Sequence, residues 1–419
     1  MNKNIKLAVA GAVLALSASA NAGIIIPAGD WTVDIGGNVN TFFTSTKHSG
    51  TAVAARQAAN TNANRTANQF QTGLLPSALG IGAKTRQNDL DVAFQFSFFT
   101  GSNANGTDNL NAGGNGGSNG GLGYSSLNIR QSYVSFGDKS WGTFLLGRNL
   151  GVFASDAILS DMTLLGVGSG AGGEGSSTLG RIGNGYIYAD WKAQIAYTTP
   201  NFNGFEATGA ITEGTGQLDN NNLNYEGKAS YSFAADAVTG KVWVGGKTQK
   251  IQYSVNGGKF AGGGNITEVD SEGYEIGAKL AASGAELVGY YYDGKNMDSG
   301  IGTAINTNAV LATTALTAQH DNSGGYVQAT YILPTKTKVG VSWGKNTIDR
   351  STRSLTGAAV AELRDAEREA WVVGAYHPLT KHLNLVAEYN HLETTSALVN
   401  GAAGEGKSKT VSLGAILFF

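Results

Sequence analysis

The side chains able to do covalent or metal chemistry are few and scattered in this 419-residue chain. Its five histidines, His48, His320, His377, His382 and His391, lack the spacing that gathers imidazoles on one metal ion. No serine, histidine and carboxylate stand in an arrangement from which a nucleophilic triad can be argued. There is no cysteine, hence no disulfide or thiolate site. The stretch GVGSGAGGEG at 166–175 has no strand feeding a helix around it, so it reads as loop rather than as a phosphate cradle. No cofactor and no metal are expected, and a net charge of -2 gives no reason to expect a nucleic-acid partner.

One connection carries acidic groups in an unusual setting. Residues 147–166 read GRNLGVFASDAILSDMTLLG, apolar and nearly free of turn residues, with Asp156 and Asp161 inside. Residues 154–159 suit a short helix, which Asp156 either caps or uses as a platform facing water. The rest of the chain contrasts with it. Gly 61 against Pro 5, without a collagen period, points to many turns joining β-structure.

The elements that must position this connection alternate with period 2. In LDVAFQFSFF, Leu90, Val92, Phe94, Phe96 and Phe98 share one face and Asp91, Ala93, Gln95 and Ser97 the other. A strand at 186–197 places Ile187, Ala189, Trp191, Ala193, Ile195 and Tyr197 opposite Tyr188, Asp190, Lys192 and Gln194. Tyr274, Ile276, Ala278 and Leu280 oppose Glu275, Gly277 and Lys279; Leu383, Leu385, Ala387 and Tyr389 oppose Asn384, Val386 and Glu388. A soluble sandwich alternates in the same way. Short turns such as 200–204 and 283–285, taken in turn with long polar loops such as 101–122 and 294–322, favour a transmembrane barrel whose ends face different compartments. Trp31, Phe42, Phe43, Tyr197, Tyr290, Tyr291 and Trp371 recur near strand ends, where a bilayer girdle wants aromatics. About sixteen strands fit between Trp31 and Phe419, too many for side chains to fill the middle. The charge run ELRDAEREA at 362–370 is expected in a solvated external loop.

The first 22 residues fit a secretory leader: Lys3 and Lys6, an apolar core from Leu7 to Leu16, and Ala20-Asn21-Ala22 before Gly23. The expected organisation is therefore a leader at 1–22 and one barrel domain at 23–419.

Several segments together resemble the general diffusion porins of the Gram-negative outer membrane, both enterobacterial and β-proteobacterial. They are Val33-Asp34-Ile35-Gly36-Gly37, Ala78-Leu79-Gly80-Ile81-Gly82, Arg130-Gln131-Ser132-Tyr133-Val134, Gly147-Arg148-Asn149, Ser160-Asp161-Met162, Gly180-Arg181-Ile182-Gly183 and the turn Tyr197-Thr198-Thr199-Pro200-Asn201-Phe202-Asn203-Gly204. The resemblance implies an all-β barrel of about 16 strands with an inward-folded third loop. It also implies a homotrimer in outer-membrane lipid and lipopolysaccharide, and passive passage of ions and small hydrophilic solutes. A solute-selective channel and an adhesive barrel are the alternatives. Leu150, Val152, Phe153, Ile158, Leu159, Leu164 and Leu165 would anchor the loop. Asp161 would face Arg130 and Arg181 across the constriction. Arg148 would support the loop root, Asp156 would line the pore or cap the helix, and Asp190, Lys192, Glu275 and Lys279 would face the lumen. Ala78, Asn38 and Leu165 stand where enterobacterial relatives carry charge, which predicts a weakened transverse field.

Overall fold

A computed structural model describes residues 23–50, 65–102, 127–169, 177–213, 222–254, 266–297, 320–350, 366–397 and 403–419. The strands are β1 (Ile24–Ala28), β2 (Trp31–Gly50), β3 (Arg65–Gln71), β4 (Ser77–Gln87), β5 (Leu90–Thr100), β6 (Asn128–Asp138), β7 (Gly142–Leu150), β8 (Trp191–Thr198) and β9 (Phe205–Glu213). They continue as β10 (Leu223–Ala235), β11 (Val238–Ser254), β12 (Ile266–Ala282), β13 (Ala285–Lys295), β14 (His320–Ile332), β15 (Lys338–Arg350), β16 (Ala366–Pro378), β17 (Leu383–Ala397) and β18 (Ala403–Phe418). A short helix α1 (Ser155–Ser160) and a 3-10 turn (Met162–Leu165) lie between β7 and β8.

Among the described residues every strand pair is antiparallel, joining chain neighbours except where β2 also pairs with β4 and where the sheet closes as β18 pairs with β2. Eighteen named strands fill sixteen positions. β3 and β4 flank one side of β2 in succession, and β1 continues the line of β18 on the other. The closing seam joins the two ends of the chain, with Gly37 N donating to Phe419 O at 2.8 Å and Phe419 N to Gly37 O at 3.1 Å. Closure leaves no unpaired edge, which a sheet in hydrocarbon requires.

Turns at one end are tight. Asn88-Asp89 and Ser283-Gly284 have φ of 48°, 62°, 49° and 84°, the positive values that two-residue hairpin turns use to match strand twist. The opposite end carries the long connections, and the loops at 103–126 and 298–319 lie outside the described residues. The outer face is apolar: Val39, Phe96, Ile195, Val244, Ile276, Leu287, Val341 and Leu413 are all exposed, while alternate residues are buried or half-buried inside.

Five expectations need correction. Residues 186–190 are not strand. Tyr186, Ile187, Tyr188 and Ala189 are buried in the returning limb of the inward loop, and β8 starts at Trp191. Strict alternation in this strand, with Arg130 inward beside Asn128 and Ser132, puts Gln131 on the outer face, but Gln131 does not face out. Ser97 pairs with Gln131 and Phe98 with Ile129, so Arg130 is the extra residue of a β-bulge. The bulge resets the phase, sending Gln131 inward to accept from Ser97 Oγ at 2.6 Å, whereas Ser132 lies opposite the outward Phe96. Phe42 and Tyr290 are buried inside rather than in the girdle, whereas Phe43, Tyr291 and Trp371 are exposed outside. Leu159, expected as an anchor, is exposed on α1. Of the run at 362–370, residues Ala366 onward belong to β16, and the remainder lies outside the described residues.

The outward apolar band makes a direct prediction. Ile276→Arg places a guanidinium in mid-strand facing hydrocarbon, at a cost of about 2–4 kcal/mol. Denaturant unfolding from lipid vesicles, followed by tryptophan fluorescence, should show that loss; an unchanged midpoint would mean that this face does not meet lipid.

Candidate functional site: the inward loop and the lumen

The described parts of the connection between β7 and β8, 151–169 and 177–190, turn into the barrel and follow its inner wall. Where it packs against the wall, out of reach of lumenal water, its backbone N–H groups need acceptors, because each one left unpaired costs about 1–3 kcal/mol. Polar side chains at inward strand positions supply them. Glu226 on β10 accepts from Val152 N at 2.7 Å and Phe153 N at 3.0 Å, and its other oxygen takes Asn224 Nδ2 at 2.8 Å and the Lys192 ammonium. Glu275 on β12 accepts from Ala154 N at 2.9 Å and from the Tyr290 hydroxyl at 2.8 Å. Ala154 has φ 63°, a left-handed turn that brings the chain into α1.

Further along, Tyr326 on β14 donates to Ala157 O at 2.8 Å. Gln328 on the same strand bridges the break between helix and 3-10 turn, accepting from Met162 N at 2.7 Å and donating to Ser160 O at 3.0 Å. Glu388 on β17 takes Val167 N at 3.0 Å, Gly168 N at 2.7 Å and the Tyr376 hydroxyl at 2.6 Å. A Cβ on Gly166 would lie 2.0 Å from a Glu388 oxygen, so this approach requires glycine. Asn346 on β15 accepts from Gly185 N at 2.8 Å. These are charge-assisted or amide bonds to main chain, and they hold the loop across eight strand positions from β10 to β17.

Apolar burial reinforces them. Val152, Phe153, Ile158 and Leu164 are buried, with Leu150 and Leu165 half-buried beside them. Trp243 stacks on Tyr290 with centroids 6.5 Å apart, and Tyr326 meets both Tyr290 and Tyr186, at 5.9 and 5.8 Å. An aromatic track lining water would mark a solute-selective channel; here Tyr186 and Tyr188 are buried within the loop's returning limb, and Tyr290 and Tyr292 are buried on the inner wall.

The residues singled out from sequence fall into distinct places. Asp161 was expected on the loop's free side, but its carboxylate is buried. It accepts from Thr163 N at 2.9 Å, Thr163 Oγ1 at 2.8 Å, Arg181 N at 3.1 Å and the Tyr186 hydroxyl at 2.7 Å, capping the 3-10 turn. Arg181 belongs to the loop rather than to the opposite wall. It is fully buried and donates from Nε to Ser342 Oγ at 2.9 Å, from Nη1 to Ala370 O at 2.7 Å, and from Nη2 to Ser342 O. Arg130 is buried with its guanidinium 4.6 Å from the Phe99 ring centroid, near Trp191. Arg148 lies opposite Ser132 and Ala193 on the outward phase of β7.

Asp156 does not cap α1, whose N-cap is Ala154. It pairs with Lys228 at 2.7 Å and with Lys241. Asp190, half-buried at φ 61°, accepts from Trp191 N at 2.7 Å. Lys192 is buried against Glu226, while Lys279 pairs with Glu286 at 2.8 Å. Sequence reasoning assigned no role to Glu226, Glu388, Gln328, Lys228 or Lys241. Their only signal is a lone polar residue on the non-lipid phase of a strand.

Beyond the loop, the lumen holds water. Lys241, Lys279 and Glu286 all face inward, yet their side chains keep 34%, 36% and 27% of their accessible surface. A filled barrel would bury them.

No curated protein sequence matches significantly. Among solved structures, the outer membrane channel DcaP of Acinetobacter baumannii is similar at TM-score 0.60 and 14% identity, over 95% of this chain and 100% of that one. OmpT of Vibrio cholerae aligns at 0.57 and 14%, over 94% and 100%. Salmonella typhi OmpF aligns at 0.52 and 15%, over 94% and 100%. At these identities the likeness speaks for the fold. The sequence itself matches the Gram-negative porin family over residues 7–397, and with a closed sixteen-position barrel around a solvated lumen the chain belongs to that family, an outer-membrane channel for diffusion.

Proposed function

We propose that the channel is a general one, passing ions and small hydrophilic solutes without a dedicated binding site. It works as a homotrimer surrounded by outer-membrane lipid and lipopolysaccharide, after removal of a leader at 1–22. The observation that carries this reading is the solvated charge cluster on the inward face. The trimer is supported by a solved trimer form of Vibrio cholerae OmpT and by the exposed apolar residues of the outer wall, which can pack together.

In this reading the field across the narrowing comes from the cluster where α1 meets the wall, not from Asp161. Lys228, Lys241, Lys279 and Lys338 face Asp156, Glu206 and Glu286 there, four cations against three anions, so a mild anion preference is expected. Arg130 and Arg181 hold the loop and its root, and Asp190, Lys192 and Glu275 pin its two limbs.

Planar-bilayer recordings under a KCl gradient test both parts. Large ohmic steps in threes, unblocked by sugars, amino acids or phosphate, are expected; small steps blocked by one solute at low concentration would instead favour a selective channel, and no conductance a structural barrel. Lys241→Gln with Lys279→Gln should move the reversal potential toward cation preference. Asp161→Asn should leave it in place, because that carboxylate is spent on four donors; a shift toward anions would return Asp161 to the water.

A further inference from the structure

Two segments share one edge of β2. β18 pairs with it as far as Asn38, opposite Phe418, and β1 takes over from Ile24, opposite Ile35, to Ala28, opposite Trp31. Gly36 marks the junction between them. A Cβ there would lie 3.3 Å from Phe419 O, 3.6 Å from Gly23 Cα and 3.9 Å from Asp34 Oδ1. Having no side chain, Gly36 lets these three groups meet.

One of the three lacks a partner. Asp34 stands opposite Ile25 on β1 and Gly82 on β4. Its Oδ1 is buried with no hydrogen-bond partner, and among the described residues the carboxylate makes no ion pair. Lys84, two residues beyond Gly82, is exposed. A shielded carboxylate oxygen without a donor is costly, so a donor belongs at this spot. Phe419 O is already served, since it accepts from Gly37 N at 2.8 Å.

Geometry supplies the donor. The position that a Cβ on Gly23 would take lies 2.7 Å from Asp34 Oδ1. For carbon that is a clash; for an ammonium nitrogen facing a carboxylate it is an ordinary separation. While Gly23 is bonded to Ala22, its nitrogen is an amide in a continuous chain and cannot turn into that position. When a leader peptidase hydrolyses the Ala22–Gly23 bond, water gives its hydroxyl to the Ala22 carbonyl and its hydrogen to the Gly23 nitrogen, which takes up a proton at neutral pH. A rotation of about 120° around Cα–C then carries the ammonium into the Cβ position, because both are substituents of one tetrahedral carbon at nearly equal bond length.

We propose that removal of the leader creates an ion pair between the Gly23 α-ammonium and Asp34, a latch that fastens β1 to β2 where the barrel closes. The unprocessed chain keeps an unmet acceptor at its seam, so processing and barrel stability are coupled. The inference rests on the leader reading of residues 1–22.

The test compares two barrels refolded into lipid vesicles, one beginning at Gly23 and one retaining Asn21-Ala22 ahead of it, each with and without Asp34→Asn. The chain beginning at Gly23 should have the larger folding equilibrium constant, by on the order of tenfold, the size of a charge-assisted hydrogen bond. Asp34→Asn should remove that advantage while leaving the extended chain unchanged or more stable. Lys84→Gln should leave the advantage intact. Equal stability of the two unaltered chains, an equal loss from Asp34→Asn in both, or loss of the advantage in Lys84→Gln would each overturn the proposal, and the first comparison stands even if Asp34→Asn does not refold. The intact mass of the exported protein reports separately on the leader reading: cleavage at another bond would contradict that reading and leave the refolded comparison in force.

Discussion

Three wall carboxylates, Glu226, Glu275 and Glu388, accept five main-chain N–H groups from a loop packed so closely on the wall that water does not reach those donors. The remaining geometry of the channel depends on this constraint. Because the acceptors are fixed to a closed sheet, the loop is positioned by the barrel rather than by its own short helix, which at six residues is too brief to be stable alone. The strands therefore set the width of the lumen twice: once by their number and once by where they hold the loop.

The same anchoring separates structural charge from charge that meets water. Glu226 with Lys192, and Asp161 with the Arg181 backbone and Tyr186, are enclosed and spend their hydrogen-bonding capacity on the loop. Lys241, Lys279 and Glu286 remain solvated a short distance away. Charge count along the loop is thus a poor guide to the field an ion feels. What matters is which groups keep a face toward the lumen, since buried pairs cancel at close range while solvated ones act across the water path.

The barrel was legible in the sequence because a period of two is a local property: Phe94, Phe96 and Phe98 announce their face without reference to any partner. Where phase breaks, local reading fails. Gln131 looked outward only because nothing near it in the chain reveals the bulge at Arg130, which exists through pairing with β5. Residues 186–189 alternate like a strand but have no strand to pair with. The loop anchors were out of reach for a related reason, since Glu226 lies 74 positions from Val152 and Glu388 lies 220 from Gly168. Asp161 was nearer to recognition: an aspartate two residues before Thr163, opening a short helical turn, has the local form of a cap. A carboxylate that caps and one that lines a pore are the same residue type, and only burial tells them apart.

The most direct test of loop anchoring is site-resolved hydrogen–deuterium exchange of the folded barrel in lipid at neutral pH, read at the amides of Val152, Phe153, Ala154, Val167 and Gly168. Donors held by wall carboxylates should exchange as slowly as neighbouring strand amides in β10 and β17. Exchange within seconds, at the rate of an open loop, would show that the loop lies loosely in the lumen and that the wall does not position it.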